Sequence, residues 1–176
     1  TMDLSLVIPL YNESESISEL DKKIELILST SKLNYEILYV DDGSKDDSWK
    51  KIIDISKRNP NTHGLRFLKN YGKSMALSAG FSESKGSIVI TMDADLQDDP
   101  NEIIPLYDMV KNECYDLVSG WKKKRYDSVI FKNIPSKLFN WAARKSSGIN
   151  LHDFNCGIKA YKKSVIKAVS YTHLTL

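Results

Sequence analysis

Short apolar runs alternate with segments of helical period along most of the chain. Leu4–Leu10 is a nearly continuous apolar run closed by Pro9 and Asn12, which predicts a strand covered on both faces. Ile17, Leu20, Ile24, Ile27 and Leu28 then share one face of a helix, with Ser14 or Ser16 placed to cap it. Residues 35–40 predict a second strand, and Asp46 is placed to cap a helix carrying Trp49, Ile52 and Ile53. A third, short strand is expected at 64–68, followed by a helix through Met75, Ala76 and Ala79. A fourth strand follows at 87–92. Pro100 suits the first turn of a helix bearing Ile103, Ile104, Tyr107 and Val110, and a fifth strand is expected at 116–119. Beyond Gly120 the regularity fades. Residues 122–132 read as a basic loop, 135–146 as a helix with Leu138, Phe139 and Trp141 inward, and 154–161 as a further strand.

Strand–helix alternation predicts an α/β fold, a mostly parallel Rossmann-like sheet with helices on both faces. The 176 residues suit one domain, and no linker, repeat or low-complexity tract divides them. No apolar run reaches the roughly 18 residues of a membrane span, and no basic-then-apolar leader precedes Asp3. Cys114 and Cys156 form no disulfide framework and no Cys-x-x-Cys, so a reducing, cytosolic setting is the default. The net charge of +2 hides an asymmetry. Residues 1–118 carry 13 Lys and Arg against 21 Asp and Glu, a net of −8; residues 119–176 carry 12 against 2, a net of +10. The acidic part suits a cation. The basic part suits phosphates or an anionic membrane, and nothing points to nucleic acid.

In such a sheet the strand C-termini share one rim, and ligands bind there. Three polar clusters fall at predicted strand ends: Tyr11-Asn12-Glu13, Asp41-Asp42-Gly43-Ser44 and Asp93-Ala94-Asp95. Each alone is compatible with a turn. Together they predict a crevice gathering Asn12, Glu13, Asp41, Asp42, Asp93 and Asp95. Carboxylates packed together repel unless a cation sits among them. Asp93 and Asp95, two residues apart, would point the same way on extended backbone and offer hard oxygen ligands for Mg²⁺ or Mn²⁺. Gln97 adds a carbonyl oxygen. Asp98 and Asp99 suit capping of the next helix. Such a cation takes few carboxylates and completes its shell with phosphate oxygens, which points to a nucleoside diphosphate.

Other site types are absent. Gly72-Lys73-Ser74 ends like a Walker loop, but Phe67 stands where its first glycine is required. There is no Gly-x-Gly-x-x-Gly and no Gly-x-Ser-x-Gly, and His63, His152 and His173 lack metal-ligand spacing. Rival classes remain: an aspartyl-phosphate phosphatase, a phosphorelay-receiver-like module, or a scaffold that binds nucleotide without activity. The first leaves the clusters after the first two strands unexplained; a receiver places its acidic pair after the first strand, not the second.

The motifs Val7-Ile8-Pro9-Leu10-Tyr11-Asn12-Glu13, Val40-Asp41-Asp42-Gly43-Ser44-Lys45-Asp46 and Asp93-Ala94-Asp95-Leu96-Gln97 resemble family-2 glycosyltransferases of the GT-A fold. The form Asp-Ala-Asp-Leu-Gln-x-x-Pro-x-x-Ile is most similar to polyprenyl-phosphate sugar transferases, the dolichyl- and undecaprenyl-phosphate enzymes. Residues 68–80, with Asn70, Gly72 and Ala76, resemble their third block, and residues 152–161 their acceptor-side block.

The resemblance covers residues 3–169 and implies a catalytic domain over 1–169, incomplete at its C-terminus, with 170–176 a tail outside the pattern whose native origin is left open. It implies a nucleotide-sugar site of Pro9, Tyr11, Asn12, Glu13, Asp41, Asp42, Asn70, Gly72, Lys73, Asp93, Ala94 and Asp95. Asp93, Asp95 and Gln97 would hold Mg²⁺ or Mn²⁺. Lys122, Lys137 and Lys159 would meet the acceptor phosphate. The implied reaction is an inverting transfer of a hexose from a UDP- or GDP-sugar to a polyprenyl phosphate. For a saccharide acceptor, Asp153 would serve as base. The implied setting is the cytoplasmic face of a membrane with peripheral contact, the present chain being itself soluble; self-association is left open.

Overall fold

The computed structural model describes residues 1–113, 115–120 and 157–166. The elements expected up to residue 119 are present in the expected order; the loop expected at 122–132 and the helix expected at 135–146 lie outside the described residues. Strand β1 (Leu4–Leu10) and strand β2 (Tyr35–Asp41) are buried at every position, which is why they read as continuous apolar runs. Helix α1 (Ile17–Thr30) lies between them, and α2 (Ser48–Arg58) leads to β3 (Thr62–Arg66). Helix α3 (Lys73–Glu83) is followed by β4 (Ile88–Thr91), a 3-10 turn at Pro100–Glu102, α4 (Ile103–Asn112), β5 (Leu117–Ser119) and β6 (Lys159–Lys162).

The six described strands form one sheet in the order β3-β2-β1-β4-β6-β5. Parallel pairs join β3 to β2, β2 to β1 and β1 to β4. Strand β6 runs antiparallel between β4 and β5, so β5 is not the neighbour of β4. β3 begins and ends two residues before the predicted strand. Thr62 is buried at its start, whereas Leu68 is fully exposed beyond its end. The apolar Leu65, Phe67 and Leu68 therefore misplace the boundary. Of the strand expected at 154–161, only the end from Lys159 is seen, and residues 154–156 lie outside the described residues, as do 121–153, the tail 170–176, Cys114 and Cys156.

Strand alternation sends β1 side chains to two cores. Leu4, Leu6, Ile8 and Leu10 join the apolar faces of α1, α2 and α4. Val7 joins Leu38, Val40, Val89 and Ala76 under α3. Helices thus cover both faces, as predicted. Helix α3 lies so close to the sheet that a Cβ on Gly80 would stand 2.4 Å from Val7 Cγ1. Helix entry follows local polar chemistry. Asp99 Oδ1 accepts from Asn101 N beside Pro100, but Asp98 turns inward instead of capping. Ser16 stands at the start of α1, yet its hydroxyl donates back to Glu13 O and Glu13 Oε2.

One polar pair crosses the larger core. The buried Tyr39 hydroxyl on β2 donates to Asp21 Oδ1 on α1 at 3.1 Å. Burial pushes the Asp21 carboxyl above its ordinary 3.8, and the Tyr39 hydrogen bond only partly opposes this. Below about pH 4 the group is protonated in both folded and unfolded chains. As pH rises through the raised folded value, the unfolded chain releases its proton more readily, and stability falls. Asp21→Asn keeps an oxygen for Tyr39 and has no charge to bury. Its melting temperature should gain on the wild type as pH rises from 4 to 7; a difference flat across that range would contradict this account.

Candidate active site

The loops after β1, β2 and β4 and the first turns of α3 surround one hollow of about 290 Å³. Pro9, Leu10, Tyr11 and Glu13 come from the end of β1, and Asp42 from the end of β2. Asn70, Gly72, Lys73 and Ala76 come from α3 and the loop before it. Asp93, Ala94 and Asp95 come from the loop after β4. The sequence-predicted residues that line this space are therefore Pro9, Tyr11, Glu13, Asp42, Asn70, Gly72, Lys73, Asp93, Ala94 and Asp95.

Others do not line it. Asn12, at φ 56°, uses its side chain as a brace: Asn12 Oδ1 accepts from Lys45 N at 2.8 Å, and Asn12 N donates to Ser44 Oγ at 2.8 Å. Asp41 ends β2 fully buried; Oδ1 accepts from Ser44 N at 2.8 Å and Oδ2 lies 3.4 Å from Arg66 Nε. Strand alternation turns adjacent Asp41 and Asp42 opposite ways, and only Asp42 reaches the wall. Gln97 borders a separate hollow with Lys23, Leu26 and Pro100. Leu96, at φ 62°, bends the chain between Asp95 and Gln97 and parts it from the carboxylates. Asp93 and Asp95 lie past the strand end rather than on extended backbone, where Asp95 Oδ1 accepts from Gln97 N; both still reach the hollow. Lys159 sits within β6, opposite Thr91 and away from the hollow wall. Lys122, Lys137 and Asp153 lie outside the described residues.

The wall is cross-braced. Both Asp42 oxygens accept backbone N–H groups of the loop before α3: Tyr71 N at 2.7 Å and Gly72 N at 2.8 Å. Gly43, at φ 74°, lets the β2–α2 loop lie against Lys69, where a Cβ would stand 2.5 Å from backbone carbon. The β1–α1 loop is tied to the start of α2: Glu13 N donates to Ser48 Oγ at 2.9 Å, and Ser14 N to Asp46 Oδ2 at 3.0 Å. Lys51 Nζ donates to Ser14 O. Within the lining, Lys73 Nζ is 2.5 Å from Asp93 Oδ1.

Sequence reasoning missed what stands behind Asp93. A Cβ on Gly157 would lie 2.5 Å from Asp93 Oδ2 and 2.5 Å from Asp98 Oδ2, so only glycine lets this segment pass them. Asp93 N donates to Asp98 Oδ2 at 3.2 Å, and Thr91 Oγ1 to Gly157 O at 3.0 Å. The one available signal was the glycine within the block at 152–161.

Among the described residues, four carboxylates (Glu13, Asp42, Asp93 and Asp95) and one ammonium (Lys73) line the hollow. Among the described residues no group of three or more His, Cys, Asp or Glu stands close enough to hold a metal by itself. Two carboxylates on one wall suit an ion such as Mg²⁺ or Mn²⁺, which draws its remaining ligands from water and phosphate. Asp93 and Asp95 fit that donor set.

A family model described as glycosyl transferase family 2 matches residues 5–170. The undecaprenyl-phosphate 4-deoxy-4-formamido-L-arabinose transferase of Shewanella sediminis is 37% identical over 172 residues, covering 97% of this chain and 51% of that protein. The Pseudomonas aeruginosa PAO1 protein of the same name is 38% identical over 167 residues, covering 94% and 49%. The chain thus spans about half the length of the curated relatives it matches. A mannosyltransferase of Pyrobaculum calidifontis, solved with GDP-Man and Mn²⁺, superposes with a TM-score of 0.68 at 20% identity, covering 94% of this chain and 46% of that one. Glucosyl-3-phosphoglycerate synthase of Mycobacterium tuberculosis gives 0.69 at 20% identity, covering 93% and 57%. These structures share the fold, as expected. The phosphatase and receiver readings have no support in these matches.

The braces have a pH signature. Desolvation lifts the Asp46 carboxyl, but the hydrogen bonds from Ser48 and Ser14 outweigh it and hold it at about 2, below its ordinary 3.8. The stability these bonds give is present above pH about 4 and is lost as pH falls through about 2. Asp46→Ala should therefore unfold at lower urea than the wild type at pH 7, and the gap should narrow by pH 2.5. A gap of constant size down to that pH would remove the ionised Asp46 from the brace.

Proposed function

The chain belongs to glycosyl transferase family 2, and on that basis we propose that it transfers a sugar from a nucleoside diphosphate sugar to a polyprenyl phosphate. The observation that carries the donor half is the single hollow that collects the family's motif residues from three strand ends and α3. Pro9 and Tyr11 offer an apolar and aromatic surface for a base, and Glu13 offers an acceptor for ribose hydroxyls. Asp42, with both oxygens occupied by Tyr71 N and Gly72 N, acts by shaping the loop that Asn70 and Lys73 stand on.

Charge supports a cation requirement. Among the described residues the lining has four carboxylates against one ammonium, a formal net charge of −3 that repels a diphosphate. Asp93 and Asp95 would hold Mg²⁺ or Mn²⁺, which when bound supplies positive charge beside the leaving diphosphate. Lys73 is the one cationic side chain among the described residues of the wall, placed to meet the same diphosphate.

The acceptor half rests on the relatives' names and on charge. An acceptor phosphate is already an anion at neutral pH, so it needs orientation more than deprotonation. The excess of Lys and Arg in residues 119–176, including Lys122 and Lys137, suits that task and suits peripheral contact with an anionic leaflet. Lys159 contributes from the body of β6 rather than from the wall. Asp153 would act as base only if the acceptor were a sugar hydroxyl. The curated relatives are named for an arabinose derivative, so the transferred sugar extends to substituted pentoses beside the expected hexose. No described helix is long and apolar enough to cross a membrane.

UDP or GDP should raise the melting temperature more with Mn²⁺ than with EDTA. Asp93→Ala and Asp95→Ala should each abolish the metal-linked increment and leave the nucleotide-free melting temperature within about 2 °C. Retention of the increment in both variants would overturn the metal assignment, and no shift with either nucleotide would overturn the donor reading.

A further inference from the structure

Lys73 and Asp93 come from different elements of the hollow's lining and meet there as an ion pair. Lys73 is the first residue of α3, directly after Gly72 at φ 94°. Asp93 is the second residue past β4. Of the two Asp93 oxygens, Oδ2 faces Gly157, where not even a Cβ fits. Oδ1 is the oxygen paired with Lys73 Nζ at 2.5 Å. The oxygen left for a ligand in the hollow is therefore the one the ammonium occupies. Asp95, the other carboxylate beside it, uses Oδ1 to accept from Gln97 N.

From this we infer that Lys73 is a built-in counter-ion that holds Asp93 in the ligand-free protein and couples cation binding to nucleotide binding. The inference rests on the donor reading above. A divalent cation arriving alone must displace an ammonium from Asp93 Oδ1 and then sit beside that positive charge. A nucleoside diphosphate changes the balance, because it gives Lys73 a second anion to bind. The ammonium turns from carboxylate to phosphate, Asp93 Oδ1 is released, and cation and diphosphate enter together. The Lys73 side chain is 55% exposed on a flexible stem, whereas Asp93, at 25%, is wedged between Gly157 and the backbone contact to Asp98. The mobile partner is thus the cation and the fixed partner the carboxylate. Coupling of this kind is reciprocal: whatever factor the nucleotide adds to cation affinity, the cation adds to nucleotide affinity.

The test is direct titration of Mn²⁺, read as loss of the free-ion paramagnetic resonance signal, with and without whichever of UDP or GDP raises the melting temperature. In the wild type, Mn²⁺ alone should bind weakly and nucleotide should tighten it. Lys73→Met removes the charge and keeps an unbranched stem. It should tighten Mn²⁺ alone by about two- to fivefold, the range expected for loss of one partly exposed ion pair. It should also shrink the factor by which nucleotide tightens Mn²⁺. Lys73→Arg, which keeps the charge, should stay near the wild type on both measures and guards against a merely structural effect. The inference is overturned if Lys73→Met leaves the affinity for Mn²⁺ alone unchanged, or alters it equally with and without nucleotide, while wild-type nucleotide binding stays Mn²⁺-dependent. If the wild type binds no nucleotide with Mn²⁺, the donor reading fails first and the inference with it.

Discussion

The site depends on how far β1 runs past β4. Val7 pairs with Thr91, the last residue of β4, whereas β1 continues to Leu10, which pairs with Asp41 at the end of β2. Strand β4 therefore stops three residues short, and its continuation through Asp93 and Asp95 leaves the sheet beside Pro9 and Leu10. The space vacated by the missing strand residues is bounded by β1, the Asp42 turn and the start of α3. A parallel sheet brings strand ends to one edge in any case. The unequal ends turn that edge into a hollow.

That arrangement gathers negative charge, and the fold answers it in three ways. Two consecutive backbone N–H groups, of Tyr71 and Gly72, hydrogen-bond the two Asp42 oxygens. A guanidinium attends Asp41 from the rim of the sheet. Asp93, alone of the three, meets a lysine ammonium, that of the exposed Lys73 side chain. Backbone donors are fixed, so Asp42 is held in one place on the wall. A lysine on a flexible stem is exchangeable. Within one hollow the fold therefore separates a carboxylate that shapes the wall from one that remains open to a ligand.

The fold was legible in the sequence where burial is two-sided or periodic. β1 and β2 are apolar because helices cover both faces, and α1 and α4 carry their stripes at helical spacing. β6 was not legible in place, because an antiparallel strand inserted between β4 and β5 carries no local mark of its neighbours. The site was legible as a set of loops and less so as side chains. Asp41 and Asp42 are adjacent and chemically identical, and only the phase of β2 decides which one meets the hollow. Gln97 follows Asp95 by two residues, but the positive φ of Leu96, a residue type that disfavours it, sends it elsewhere. The Lys73–Asp93 contact joins residues twenty apart through side-chain reach, which no spacing rule encodes.

Gly157 closes the argument about rigidity. It lies on the approach to β6, so the strand that separates β4 from β5 also delivers the backbone that presses on Asp93 and Asp98. The Thr91 hydroxyl bond to Gly157 O locks that approach to the end of β4 itself. Asp93 is thus held by its own strand, by Asp98 and by the incoming chain, all on one side, with a single oxygen presented to the hollow. The antiparallel insertion is what makes one carboxylate immobile enough for a neighbouring lysine, rather than the carboxylate, to be the part that moves.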